Sequence, residues 1–199
     1  RENLDKEDLL NKFINFIVKL GGTTKGALGT IKIGLGYPKI AEEEVRLLLK
    51  RLDIEVNTNN PDIIFSFDAD ADRIVVKDGG GNLVASDFIT GILVQCEKSF
   101  WFKPRVVYDL RFSRGVKEKF QEWGIKTFRS QVGRAFLKDN AVRYKADISG
   151  ELSGHIYFKE TNYNEMPLLA MLRILKIMAK TSRGINELTE PFKTWFNSG

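Results

Sequence analysis

The apolar run Ile63-Ile64-Phe65-Ser66-Phe67 stops abruptly at Asp68-Ala69-Asp70-Ala71-Asp72-Arg73. A short apolar run of this kind reads as a buried strand. The fold must therefore deliver a carboxylate at every second position to that strand's end. Side chains at that spacing share one side of an extended segment or converge in a tight loop. Crowded ionised carboxylates repel, so they require a cation or bound protons. Arg73 alone leaves negative charge in excess. Mg²⁺, a hard cation that takes few protein carboxylates together with a phosphate oxygen, fits the pattern. Such a loop points to chemistry on a phosphate.

Two other readings of the loop stay open on the residues alone. One is a solvated acidic turn; the other makes Asp68 an aspartyl nucleophile of the phosphatase kind. A calcium loop of EF-hand type fails, because Arg73 stands where that loop needs glycine and Gly79 where it needs a bidentate glutamate.

The chain has 199 residues, room for one large domain or two small ones. Its 43% apolar and 29% charged content is that of a globular protein and excludes a disordered one. Lys, Arg or Glu interrupts every apolar stretch before it reaches membrane-span length, so no membrane contact is expected. The opening Arg1-Glu2-Asn3-Leu4-Asp5-Lys6 does not resemble a signal peptide. Cys96 is the only cysteine, which excludes internal disulfides and makes a cytoplasmic setting the expectation. The net charge of +5 suits an anionic ligand. No basic block interleaved with aromatics occurs, so nucleic acid is not expected as a partner.

Along the chain, Leu9, Leu10, Phe13, Ile14, Ile17 and Leu20 keep helical spacing up to Gly21-Gly22. Ile31–Leu35 alternates like a strand, and Ile40, Val45, Leu48, Leu49 and Leu52 mark a helix. Strands at Ile63–Phe67 and Ile74–Val76 flank the acidic loop, with a turn at Gly79-Gly80-Gly81. A second set follows. Ser86 or Asp87 is the expected cap of a helix through Cys96. Strands are expected at Val106–Tyr108, Lys126–Phe128 and Ile156–Phe158, with helices after Ser113, around Phe136-Leu137 and over Leu168–Met178. The reading is an α/β protein: two consecutive three-layer α/β/α domains with mixed sheets, 1–85 and 86–199.

Three further motifs carry chemistry. Gly150-Glu151-Leu152-Ser153-Gly154-His155 places a carboxylate, a hydroxyl and the only histidine between glycines that let a loop bend. A carboxylate accepting from neighbouring hydroxyls holds a sugar ring; the bland alternative is a hairpin whose Glu151 faces water. For His155, a structural role is favoured over acid–base work. Arg111, Ser113 and Arg114 stand at a helix start, suited to a phosphate; in the bland alternative Ser113 is only a cap and the arginines face water. Gln131-Val132-Gly133-Arg134, with Lys138 a turn later, is a weaker basic loop of the same kind.

Together these motifs resemble the phosphohexomutase family, in its phosphomannomutase/phosphoglucomutase branch. Phe67–Arg73 is similar to its metal loop, usually written DGDADR. Val107–Arg114, Val132-Gly133 and Gly150–His155 follow the order and spacing of its third domain. The resemblance implies that Asp68, Asp70 and Asp72 bind Mg²⁺ and that the catalytic Arg73 sits beside the reacting phosphate. It further implies that Glu151, Ser153 and His155 bind the sugar, helped by Arg111, Ser113, Arg114, Gly133 and Arg134. The implied activity interconverts hexose 1-phosphate and hexose 6-phosphate through a phosphoserine, with a sugar bisphosphate of the glucose 1,6-bisphosphate type as activator.

The resemblance covers only the second and third of the family's four domains. The donor serine of the first and the phosphate-gripping loop of the fourth find no counterpart here. The chain is therefore expected to be a piece of a larger enzyme, inactive alone, with domains 1 and 4 as its partners. A metal-dependent phosphatase and a non-catalytic sugar-phosphate binding module are the alternatives. Departures from the pattern include Ala69 in place of a glycine, and Arg134 where relatives often have histidine, which argues against an acid–base role there. Glu165-Met166-Pro167 replaces a more glycine-rich stretch, and the segment between Val56 and Pro61 is short.

Overall fold

Strands form where β-branched and aromatic residues alternate between a buried and a wetter face. The computed structural model describes residues 11, 12, 15, 19, 32–36, 42–54, 56, 59–98 and 102–195. The helix read from Leu9 to Leu20 and its glycine stop lie largely outside these residues. The positions of that stretch that are described, 11, 12, 15 and 19, are helical.

The first sheet has the order β1-β2-β3-β4, from β1 (Ile33–Gly36), β2 (Ile63–Phe67), β3 (Ile74–Asp78) and β4 (Leu83–Val84). β1 runs parallel to β2, and the remaining pairs are antiparallel. Ile63, Phe65 and Phe67 of β2 and Ile74 and Val76 of β3 are buried, alternating with half-buried neighbours. They share one apolar core with Val45, Leu48, Leu49 and Leu52 of helix α1 (Glu42–Leu52).

The second sheet has the order β6-β5-β7-β8-β9. It comprises β5 (Arg105–Asp109), β6 (Lys126–Ser130), β7 (Ile148–Gly150), β8 (Ile156–Phe158) and β9 (Asn164–Glu165). β6, β5 and β7 are parallel, whereas β8 and β9 are antiparallel additions. Five helices accompany it: α2 (Ser86–Glu97), α3 (Arg114–Glu122), α4 (Arg134–Arg143), α5 (Pro167–Thr181) and α6 (Ile185–Thr189). Val106, Tyr108, Ile148, Ile156 and Phe158 join the large core with residues of α2, α3 and α5. Val107 and Tyr157 pack instead with Leu137 and Ala141 of α4. Helices thus cover both faces of a mixed sheet, as the α/β/α reading expects. The two sheets are not independent: Ile74 and Val76 of β3 belong to the same core as α2 and α5. Among the described residues no helix is long and apolar enough to cross a membrane.

One expectation about α2 needs correction. Its N-cap is Ala85, which offers no side-chain cap, rather than Ser86 or Asp87. The reason is a competing demand on Asp87, which lies inside the first turn. One oxygen accepts from the amide of Phe88 at 2.9 Å, and the other from the amide of Ser113 at 2.8 Å, at the start of a different helix.

Asp78 ends β3 and ties two regions together. It accepts from the backbone of Asn82 at 2.8 Å and from the side chain of Asn186, 108 residues away, at 3.0 Å. The side-chain amides of Asn82 and Asn186, with the Asn82 backbone, hold its carboxyl at about 2, below the ordinary 3.8. A depressed carboxyl adds stability that is complete above its unfolded value and disappears as pH falls through the folded one. Replacing Asp78 by Ala is expected to cost about 2 kcal/mol at neutral pH. The gap from the parent protein should close between about pH 4 and pH 2. Urea unfolding at a series of pH values reads both effects; a gap independent of pH would refute this account.

Candidate functional site

Ligand loops of open α/β sheets lie beyond the carboxyl ends of parallel strands. The sequence motifs occupy those positions here. The acidic loop follows β2, Leu110–Arg114 follows β5, Gln131–Arg134 follows β6, and Glu151–His155 follows β7.

The acidic loop is a tight turn. The Ala71 amide donates to the Asp68 carbonyl at 3.0 Å, with Ala71 in the left-handed region at φ 56°. A non-glycine residue there costs roughly 1–2 kcal/mol. The strained position is thus Ala71, not the Ala69 that the family pattern singles out. One Asp68 oxygen accepts from the amides of Asp72 and Arg73, each at 3.1 Å, and the other from Arg73 Nε at 2.5 Å. Burial pushes the Asp68 carboxyl up, but these bonds and the Arg73 charge outweigh it and hold it below its ordinary value. Burial raises the Asp72 carboxyl, and repulsion from Asp68 and Asp70 adds to this, against the pull of His155 and Arg134.

Oxygens of Asp68, Asp70 and Asp72 lie within 4.8 Å of one another. Opposite ligands of Mg²⁺ stand roughly 4.2 Å apart at bonds of about 2.1 Å, so this all-oxygen donor set fits Mg²⁺ with small adjustments.

Backbone pairing fastens this loop to the Glu151–His155 loop. Arg73 and His155 form an isolated antiparallel bridge, and the Ile74 amide donates to the Gly154 carbonyl at 3.2 Å. Gly154 has φ +99°, and a Cβ there would stand 2.9 Å from the Ile74 carbonyl oxygen. Glycine is required for both reasons. Within the loop, Ser153 Oγ donates to Glu151 Oε2 at 2.8 Å. Glu151 is only 4% exposed, and its Oε1 is buried with no hydrogen-bond partner. This buried carboxylate oxygen keeps its acceptor capacity uncommitted among the described residues.

Asp109, at the end of β5, is fully buried. Its Oδ1 accepts from the Arg111 amide at 2.8 Å. Its Oδ2 accepts from Arg111 Nη2 at 2.6 Å and from the Leu152 amide at 3.0 Å. Burial alone would raise this carboxyl; the Arg111 and Leu152 donors keep it low. Arg111 is thereby held next to the Glu151 loop. Across the site, Arg134 Nη1 reaches Asp72 Oδ2 at 2.9 Å and its Nε reaches Glu165 Oε1 at 2.6 Å. His155 Nδ1 stands 3.6 Å from Asp72 and 4.0 Å from Glu165.

The fold therefore gathers Asp68, Asp70, Asp72, Arg73, Arg134, Glu151, Ser153 and His155, with Arg111 at the rim and Gly133 as the N-cap of α4. Arg114 and Ser113 are engaged elsewhere. Arg114 pairs with Glu118 at 2.7 Å and lies over the Trp195 ring, 4.0 Å from its centroid. Ser113 Oγ accepts from the Val116 amide, which is the capping role. Nothing in the sequence pattern gives Asp109 a role, and Glu165 stands out there only as a departure. For Arg114, the Glu118 one helical turn later is the available signal.

The alpha/beta/alpha domain III of the phosphoglucomutase/phosphomannomutase family matches residues 85–195. A phosphomannomutase from Methanocaldococcus jannaschii is 38% identical over 154 residues, covering 76% of this chain and 34% of that protein. The crystal structure of a putative phosphomannomutase from Thermus thermophilus superposes with a TM-score of 0.80 at 16% identity, over 94% of this chain and 50% of that one. An N-acetylphosphoglucosamine mutase from Aspergillus fumigatus, solved with GlcNAc-6P and magnesium, gives a TM-score of 0.69 at 15% identity, over 88% and 52%. The chain thus spans about a third of the first relative and half of the two structures.

Proposed function

Since the chain belongs to the phosphoglucomutase/phosphomannomutase family, we propose that it supplies the metal loop and sugar loop of an enzyme interconverting hexose 1-phosphates and 6-phosphates. The observation that carries this reading is the Arg73–His155 bridge, which sets the acidic loop directly against the Glu151 loop. In the proposal, Asp68, Asp70 and Asp72 hold Mg²⁺, which when bound offsets negative charge on the phosphoryl group in transit. Phosphoryl transfer depends mainly on positioning and charge stabilisation.

This chain's own groups then have separable tasks. Arg73, locked to Asp68 through Nε, presents the rest of its half-exposed guanidinium to the phosphate. Glu151 Oε1 accepts a sugar hydroxyl, while Ser153 occupies Oε2 and fixes the carboxylate's plane. Arg111, oriented by the buried Asp109, adds positive charge beside the Glu151 loop. The phosphoserine donor and a substrate-phosphate loop are assigned to the parts of such an enzyme beyond the aligned third.

Asp70 gives the cleanest test, being exposed and making no hydrogen bond among the described residues. Asp70→Asn is expected to lower Mg²⁺ affinity, measured by calorimetry, at least about tenfold, equivalent to about 1.4 kcal/mol. Thermal stability should stay unchanged. Mg²⁺ uptake that ignores this substitution would overturn the metal assignment, and turnover of glucose 1-phosphate by this chain alone would refute the placing of the phosphoserine donor elsewhere.

A further inference from the structure

We propose that Arg134, anchored by Glu165, is the built-in counter-ion of Asp72 and sets how tightly the acidic loop takes Mg²⁺. The inference rests on the metal reading above. Asp72, His155 and Glu165 have donor atoms within 4.8 Å of one another, a grouping that on composition alone suggests a second cation site. A protein cation already fills that role. The Arg134 guanidinium spans the two carboxylates, 2.6 Å from Glu165 and 2.9 Å from Asp72.

The two carboxylates differ in how firmly they are held. Glu165 lies on β9, register-paired with the fully buried Tyr157 of β8, and its side chain is only 8% exposed. A carboxylate so buried needs a compensating charge. Asp72 sits on a loop next to the strained Ala71. Glu165 is therefore the fixed anchor and Arg134 the arm that carries positive charge to the loop. That charge competes with an incoming divalent cation for Asp72. Glu165 in turn draws part of the guanidinium's attraction away from Asp72. It is a positioning residue acting through Arg134, which links two segments separated by 62 residues.

This arrangement predicts shifts of opposite sign. Removing the arm with Arg134→Gln should tighten Mg²⁺ binding about fivefold, the size expected of a partly exposed ion pair. Removing the anchor with Glu165→Gln leaves the whole guanidinium to Asp72 and should weaken Mg²⁺ binding by a similar factor. Because Arg134→Gln takes the nearest cation from the little-exposed Glu165, the double variant Arg134→Gln/Glu165→Gln serves as the folded control. It too should bind Mg²⁺ more tightly than the parent, whereas Arg134→Lys should stay within about twofold of the parent. The measurement is calorimetric titration of this chain with Mg²⁺ at fixed pH, each variant checked for cooperative melting. A purely structural pair would weaken binding in every variant. If the parent takes up Mg²⁺ through Asp70 but the shifts share one sign or vanish, the inference falls and the metal reading stands. If the parent shows no such uptake, the metal reading falls and takes the inference with it.

Discussion

Replacing Asp109 by Ala is expected to lower stability by about 3 kcal/mol and to weaken hexose-phosphate binding at least about tenfold. The Arg111 guanidinium is 41% exposed, so its ion pair with Asp109 contributes little in itself. The larger loss comes from the backbone. The Arg111 and Leu152 amides both donate to this fully buried carboxylate and would be left without an acceptor. Losing hydrogen bonds to a carboxylate costs about 1.5–3 kcal/mol. For a chain of this length such a change corresponds to a melting shift of roughly 6–12 °C. Under the proposed function binding suffers as well, because Leu152 adjoins Glu151, the proposed acceptor of a sugar hydroxyl, and because Arg111 loses its orientation. Thermal melts and calorimetry with glucose 1-phosphate measure the two effects. A melting point unmoved by the substitution would show that Asp109 is not the tie described.

Gly154→Val should be as damaging, for a different reason. At φ +99° a β-branched residue is strained, and its Cβ would press on the Ile74 carbonyl at 2.9 Å. Neither the backbone oxygen nor the paired strand can yield without opening the Arg73–His155 bridge. A loss of about 3 kcal/mol or more is expected, with weaker binding of both Mg²⁺ and hexose phosphate. Gly81→Ala is the matched control. It has φ +85° but nothing within 4 Å of a Cβ, so it carries conformational strain alone, about 1 kcal/mol. Equal losses at the two positions would mean that the contact with Ile74 is unimportant.

Features governed by local chemistry are legible in the sequence. Ile63–Phe67 is a strand with the expected bounds, because apolar alternation and the following acidic turn delimit it from both sides. Ser113 caps its helix as read. Features that depend on what the fold brings together are not legible. Asp87 looks like a cap, but its carboxylate is drawn to the Ser113 amide, 26 residues away. Arg114 reads as a phosphate ligand, and the fold gives it the neighbours Glu118 and Trp195. Glu165 looks like an incidental departure until strand pairing places it against Arg134. The acidic loop is readable because like charges at close spacing demand compensation wherever they fall. Its compensating arm is not, because the partner arrives from another part of the chain.

The shared core beneath β3, α2 and α5, together with the Arg73–His155 bridge, has a mechanical consequence. A hinge between the two sheets would tear apart both a continuous apolar layer and a backbone pairing at the candidate site. This pair of sheets must therefore behave as a single jaw.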